Sequence, residues 1–146
     1  MPLYRSIKVD DTTQVLVWKV TESFTELFRE TPLRDVCLHR LEHMKSEQHQ
    51  RCFLSVRKLL EHAGYTDFDL AYNENGKPML KDHNHISITH SFDFSAIIIS
   101  DRNTGIDLEQ QRDKIIRIAH KFTDFDNAFF DKSDIQKTIR QLTAIW

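Results

Sequence analysis

Two acidic residues separated by one apolar residue, Asp107 and Glu109, form the clearest chemical pair in this sequence. They lie in residues 105–109, which follow an apolar run at 95–100 and a polar turn at 101–104. Two apolar runs rich in β-branched residues around such a turn predict an antiparallel hairpin. Side chains two positions apart on a strand point to the same side, roughly 6–7 Å apart along it. The pattern therefore predicts two carboxylates on one face of a strand and their apolar neighbours on the other.

Two adjacent carboxylates repel each other unless a cation lies between them. Mg²⁺ accepts oxygen ligands from few protein carboxylates and keeps its other positions for water and substrate phosphate. A Mg²⁺ site at Asp107 and Glu109 is therefore the chemical interpretation of this pair. A strand end with two solvated surface acids is the alternative, and an isolated pair of this kind favours it.

The composition limits the classes of function. A chain of 146 residues with 40% hydrophobic residues is one ordinary domain or part of a larger one. A net charge of −2 provides no general attraction to nucleic acid or membrane, so a phosphate site has to be a local patch. The sequence contains no predicted signal peptide or membrane span. Cys37 and Cys52 lie on apolar helical faces, which predicts reduced core thiols in a cytoplasmic protein.

Apolar periodicity and turn residues predict an α+β fold of antiparallel strands with packed helices. The predicted strands lie over 3–9, 14–20, 67–72 and 86–91. The predicted helices lie over 21–30, capped by Thr21 or Ser23, over 33–44, and from Ser46 to Gly64. A helical stripe over 115–122, a loop over 123–131 and a last helix capped by Ser133 or Asp134 follow. One continuous helix over 33–63 is the alternative to the two helices.

Two further segments have residue types suited to phosphate. In the turn at 73–78, Gly76 permits close backbone approach, Lys77 supplies a cation and Pro78 stiffens the chain. The strand at 86–91 ends in His90, which can donate to a phosphate oxygen. Taken singly, the segment at 73–78 is more often only a turn, and a histidine such as His90 is more often structural. A zinc site from His83, His85 and His90 is a weaker alternative, without thiolate or HExxH support.

The predicted helices between 33 and 63 have a basic polar face, and most such charges only solvate a helix. Its members are Arg34, His39, Arg40, His43, Lys45, His49, Arg51 and Lys58.

Three blocks stand in order along the chain: GKP at 76–78, ISITHS at 86–91 and TGIDLE at 104–109. Their order and spacing resemble the 4′-phosphopantetheinyl transferases of the surfactin-synthetase type. That family transfers phosphopantetheine from coenzyme A to a serine of an acyl or peptidyl carrier protein. The resemblance covers most of the chain, including the basic helices before the first block and IAHKF at 118–122 after the last.

The resemblance implies catalytic roles for three residues. Asp107 and Glu109 would be the Mg²⁺ ligands, and His90 would contact the pyrophosphate of coenzyme A. Thr89, which precedes the histidine, would lie near the same pyrophosphate.

The resemblance also implies residues that bind the nucleotide end of coenzyme A. Gly76, Lys77 and Pro78 would line the adenine. Arg51 would lie near the 3′-phosphate, with Lys45 as its companion.

The chain departs from the family in its last residues. The family has a later helix with the pattern W-x-x-K-E-A followed by Lys, and its Glu is a third metal ligand and a base. Here Trp146 would be the first residue of that pattern, and Asp126 stands where the family usually has Glu after Phe-Ser/Thr. The family fold comprises two similar α/β halves about a pseudo-twofold axis. We therefore expect residues 1–110 to form the N-terminal half and residues 111–146 to begin a truncated second half.

The sequence leaves two other functions open. One is a non-catalytic fragment that binds coenzyme A or a carrier protein, and the other is an unrelated α+β interaction domain. The expected partners are coenzyme A and an apo carrier protein, with neither nucleic acid nor membrane. Self-association is also expected through the apolar face of the last helix, formed by Ile135, Ile139, Leu142, Ile145 and Trp146.

Overall fold

A computed structural model describes residues 3–126, 129–130 and 133–146. The chain divides into two compact units, Met1–Leu108 and Glu109–Trp146. Each unit has its own hydrophobic core. The two are described separately below.

The first unit contains a four-stranded antiparallel sheet, so the predicted α+β class is confirmed at this level. Its strands are β1 (Leu3–Lys8), β2 (Gln14–Lys19), β5 (His85–Ser91) and β6 (Phe94–Ser100), arranged in the order β1-β2-β6-β5. The predicted first hairpin is confirmed, since β1 and β2 pair antiparallel around the turn at residues 9–13. The predicted strand at 86–91 is also confirmed, as β5.

The predicted hairpin between residues 95–100 and 105–109 is wrong. Strand β6 pairs with β2 along one edge and with β5 along the other. A strand has two hydrogen-bonding edges, so β6 has none left for a third partner. Residues 103–110 accordingly belong to no strand.

Three helices complete this unit: α1 (Phe24–Glu30), α2 (Asp35–Glu42) and α3 (Glu47–His62). Helix α1 begins after Ser23, whose side chain forms a capping box with Glu26. Helix α3 begins after Ser46, and the chain leaves it through Gly64 at a φ of +86°. The prediction of two helices is therefore confirmed, and the single helix over 33–63 is wrong.

The core lies between α3 and the sheet. Leu54, Leu59 and Leu60 of α3 are fully buried, as is Ile97 of β6. Each such side chain contributes about 1.5–3 kcal/mol through burial. The predicted core thiols, Cys37 and Cys52, are buried and unpaired.

A second, two-stranded sheet is formed by β3 (Leu70–Tyr72) and β4 (Pro78–Leu80). The prediction of a strand over 67–72 holds only for its second half, because Asp67–Asp69 is a short 3-10 helix. The reason is local: the Thr66 hydroxyl accepts from the Phe68 N–H, and the Asp69 carboxylate accepts from the Thr66 N–H. These bonds favour a turn over an extended chain.

A buried ion pair joins this short helix to α3. The Nε of Arg57 donates to Asp67 Oδ1 at 3.0 Å, and both side chains are almost completely buried. The second carboxylate oxygen accepts from the Arg34 backbone N–H at 2.9 Å, just before α2. The Arg34 side chain also donates to the Leu70 carbonyl. One carboxylate thus connects α3, the start of α2 and the entrance to β3.

The second unit contains α4 (Lys114–Ile118), a 3-10 turn at Ala119–Lys121 and α5 (Ile135–Ile145). Its core comprises Ile115, Ala119, Phe130, Ile139 and Leu142. Both predicted helical segments are therefore present, and Asp134 caps the second. Part of the predicted loop at 123–131, namely Asn127, Ala128 and Asp131, lies outside the described residues.

Within the described part of the chain, the helices are all too short or too polar to cross a membrane.

Removing one partner from the Arg57–Asp67 pair should strongly destabilise the first unit. We expect Asp67→Asn to lower the free energy of unfolding by about 3–5 kcal/mol, because it leaves a buried guanidinium unpaired. Urea titration followed by circular dichroism measures this change. The control is Lys8→Met, which removes a solvent-exposed pair with Asp11 and should cost less than about 1 kcal/mol. Equal losses in the two variants would contradict the structural role of the buried pair.

Candidate functional site

The first unit contains a cavity of about 340 Å³. It is lined by residues from α2, α3, the turn between β3 and β4, strand β5 and the segment after β6. Its lining residues are Arg40, Met44, His49, Phe53, Val56, Arg57, Tyr72, Gly76, Lys77, Pro78, Ile86, Ser87, Ile88, His90, Asn103 and Thr104.

The charge of this lining has one sign. Five basic side chains contribute to it: Arg40, Arg57, Lys77, His49 and His90. The described residues that line the cavity include no Asp or Glu. In a chain whose net charge is −2, this is a local basic patch of the kind that a phosphate site requires. The cavity is therefore suited to an anionic ligand.

The turn between β3 and β4 presents Lys77 at the cavity. The Asn73 side-chain oxygen accepts from the backbone N–H groups of Asn75 and Lys77, each at 2.9 Å. The Gly76 N–H donates to the Asn73 carbonyl, and Gly76 has a φ of +76°. A side chain would be strained at that φ, although the space around the glycine is open. Glycine is therefore required here mainly for the turn conformation.

Two histidines face each other at the cavity. His49 lies in the first turn of α3, where its N–H donates to the Ser46 hydroxyl, and His90 lies near the end of β5. Their ring centroids are 4.9 Å apart, with the ring planes tilted by 45°. Burial, followed by the positive charge of His49, lowers the pKa of His90 below its ordinary value. His90 therefore favours the neutral form in the absence of an anion.

The two arginines at the cavity differ in how firmly their side chains are held. Arg57 lies over the Phe53 ring at 3.6 Å from the centroid and is held by Asp67. Arg40 lies over the Tyr72 ring at 4.5 Å and is exposed to solvent. Arg57 thus contributes a fixed positive charge, whereas Arg40 presents an accessible guanidinium stacked on an aromatic ring.

The structure brings four of the predicted site residues to this cavity: Gly76, Lys77, Pro78 and His90. Arg51 is not among the lining residues. Its Nε donates to the Glu22 carbonyl at 2.8 Å and its guanidinium also reaches the Val20 carbonyl at 3.3 Å. Lys45 is solvent-exposed and is also not among them. The coenzyme A contacts that the resemblance gives to Arg51 and Lys45 stay predictions.

Thr89 holds the segment that contains the acidic pair. The Leu108 N–H donates to Thr89 Oγ1, and the Ile106 N–H donates to Ser87 Oγ, both at 3.2 Å. Two hydroxyls of β5 thus replace the backbone ladder that was predicted for this segment. The predicted alternation of side chains is present without it, since Ile106 and Leu108 are half-buried and Asp107 is exposed.

The donor chemistry at Asp107 fits Mg²⁺. Its exposed carboxylate accepts a hydrogen bond from Thr89 Oγ1 at 3.3 Å, so carboxylate and hydroxyl oxygens lie together. An ion that keeps most of its water requires few such ligands. Glu109 is exposed and belongs to the second unit, where it lines a separate cavity of about 260 Å³ with Lys114 and Trp146. Across the described residues, His, Cys, Asp and Glu nowhere form a group of three able to hold a metal.

Sequence reasoning gave no site role to Arg40, His49, Arg57 or Tyr72, all of which line the cavity. Arg40 and His49 were placed only on a solvated helix face. Arg57 carried a usable signal, since it directly follows Val56 in the apolar stripe of α3. A cation at a buried helix position indicates a buried carboxylate partner.

The expected apolar face of the last helix is only partly exposed: Ile135, Ile145 and Trp146 are exposed, whereas Ile139 and Leu142 are buried in the core of the second unit. Self-association through this helix stays a prediction.

Comparison of the sequence with models of known protein families finds no match, and comparison with curated protein sequences finds none either.

Loss of the Thr89 hydroxyl should release the segment that contains Asp107. We expect Thr89→Val to cost about 1–3 kcal/mol of stability and to speed amide exchange at Leu108, whose N–H loses its acceptor. Hydrogen exchange followed by nuclear magnetic resonance measures this at single residues. Thr89→Ser is the matched control, because it keeps the hydroxyl. If Leu108 stays equally protected in Thr89→Val, the hydroxyl is not what holds the segment.

Proposed function

We propose that this chain is part of a Mg²⁺-dependent 4′-phosphopantetheinyl transferase that binds coenzyme A in the basic cavity. The observation that carries the proposal is that Lys77 and His90, from two separate sequence blocks, line one cavity without a lining carboxylate among the described residues. Coenzyme A carries a pyrophosphate and a 3′-phosphate, and a lining of this charge favours such a polyanion. A cytoplasmic location and an apo carrier protein as second substrate belong to the same proposal.

The ligand would be bound by groups of different kinds. Lys77 and His90 would donate to phosphate oxygens, and Arg57 would add a fixed positive charge. Arg40, stacked on Tyr72, offers both a planar surface for a base and a charged donor. Phe53 and Ile88 supply the apolar part of the lining. This mixture of apolar wall and convergent cations is typical of nucleotide-containing ligands.

Asp107 and Glu109 are the proposed Mg²⁺ ligands. They are separated by one residue, Leu108, and both are exposed. Bound Mg²⁺ would neutralise charge that develops on the pyrophosphate. The task of this chain's own residues is to hold the carboxylates on a fixed backbone, which Thr89 does for Asp107 through the two hydrogen bonds described above.

In the proposed reaction a carrier serine oxygen forms a bond to the β-phosphorus of coenzyme A. The bond between that phosphorus and the bridging oxygen breaks, and 3′,5′-adenosine bisphosphate leaves with the electron pair. The serine proton passes to a base. In the family that this chain resembles, a Glu of a later helix is that base. Coenzyme A or carrier binding without transfer is the second candidate function, and it is favoured because Asp107 is not among the residues that line the basic cavity.

The acidic pair should make coenzyme A binding depend on Mg²⁺. We expect calorimetry to show tighter binding of coenzyme A with Mg²⁺ than without it, and we expect Asp107→Asn and Glu109→Gln to remove that difference. Asp101→Asn is the control, an exposed acid outside both the cavity lining and the proposed metal pair. Unchanged Mg²⁺ dependence in the Asp107 variant would refute the metal assignment. An apo carrier protein added with coenzyme A and Mg²⁺ separates the two functions, because only transfer adds mass to its serine.

Lys77 should contribute directly to the affinity for coenzyme A. We expect Lys77→Ala to weaken binding by about 10- to 100-fold, since a charge-assisted hydrogen bond is worth about 1.5–3 kcal/mol. Lys81→Ala removes the same side chain from an exposed position outside the lining and should leave the affinity unchanged. Calorimetry of both variants checks this. Equal affinities in wild type and Lys77→Ala would remove the cavity from the proposal.

A further inference from the structure

The cavity contains a pair of imidazoles that the proposed function leaves without a joint role. His49 and His90 come from different elements, α3 and β5, and their ring centroids are 4.9 Å apart. Both rings line the cavity. At this separation, one oxyanion on the cavity side can accept from both rings. His49 was expected only to solvate a helix face, so this pairing is a product of the tertiary structure.

We propose that His49 and His90 together form an oxyanion subsite that takes up a proton when it binds a doubly charged phosphate-like group. A neutral imidazole has one N–H donor, whereas an imidazolium has two and a positive charge. Protonation therefore turns the pair into a stronger donor site. The inference rests on the proposed function and deepens it, because the pyrophosphate of coenzyme A, which carries two negative charges in total, is the group that would occupy this subsite.

Burial and the neighbouring charge of His49 favour the neutral form of His90 before an anion binds. The other charged groups that line the same cavity are Arg40 from α2, Arg57 from α3 and Lys77 from the turn between β3 and β4. All three are cations and oppose a further positive charge. Three acids lie near the pair in the sequence or through a neighbour: Glu47, two residues before His49; Asp93, after β5; and Asp107, which contacts Thr89. None of these three is among the residues that line the cavity.

An anion reverses this balance. Its negative charge stabilises the imidazolium, so His90, whose pKa is lowered in the empty cavity, becomes easier to protonate in the complex. By linkage, a ligand that strengthens proton binding is itself bound more tightly as the pH falls. The increase in anion affinity begins as the pH drops through the pKa of His90 in the complex, which the anion raises. The increase is complete once the pH is below the pKa of His90 in the empty cavity.

Sulfate is the suitable probe, because it keeps both charges over the whole range, whereas phosphate esters titrate there. We expect calorimetric titration of sodium sulfate at constant ionic strength to show affinity rising by up to about tenfold per pH unit as the pH falls through the range in which histidines titrate. Titration in buffers of different ionisation enthalpy should show proton uptake on binding.

Three variants complete the test. His49→Gln and His90→Gln should each flatten the pH dependence, whereas Lys77→Ala should lower the affinity at every pH and keep the slope. His39→Gln is the control, since His39 forms a second imidazole pair with His43 outside the cavity lining and should change nothing. Sulfate affinity that is independent of pH, or an unchanged slope in His49→Gln, would overturn the paired subsite.

Coenzyme A separates this inference from the proposed function. If sulfate behaves as expected but coenzyme A does not bind, the subsite stands and the proposed function fails. If coenzyme A binds in the cavity with no proton uptake beyond that of its own phosphates, the proposed function stands and the paired subsite fails.

Discussion

The buried contact between Arg57 and Asp67 is the interaction on which the first unit depends. Asp67 accepts from Arg57 in α3 and from the Arg34 backbone N–H at the start of α2, and it opens the chain segment that leads into β3. Neither charge is accessible to water, so each is tolerable only in the presence of the other. The pair thereby fixes α2, α3 and the small sheet against one another, and these elements form three walls of the basic cavity.

The same arginine links stability to ligand chemistry. Arg57 lines the cavity and its guanidinium lies on the Phe53 ring, so its positive charge is immobile and is partly compensated by Asp67. The remaining basic groups are less constrained: Lys77 lies on an exposed turn, and His90 favours its neutral form. A cavity built in this way attracts anions without a large concentration of unpaired buried charge.

A second constraint acts at the acidic segment. Strand β6 has both edges occupied, so the chain that follows cannot extend the sheet beside it. Hydroxyls of Ser87 and Thr89 on β5 accept its amides instead and hold residues 106–108 in place. Because these acceptors are side chains, each can be altered singly without disturbing a backbone ladder. This gives the segment a defined position to which these two side chains contribute.

The sequence by itself determined most of the local structure. The Ser23 and Ser46 caps, the Gly64 stop and the apolar stripes located the helices, since these signals act within one or two turns of the chain. The pairing of β6 was decided only by the tertiary structure, because apolar runs at 86–91 and 105–109 are equally good partners for it on pattern alone. The set of residues that line the cavity was also decided by the tertiary structure. Lys77 and His90 were identified from their motifs, but the gathering of Arg40, His49 and Arg57 around them depends on how α2 and α3 pack, which no local pattern encodes.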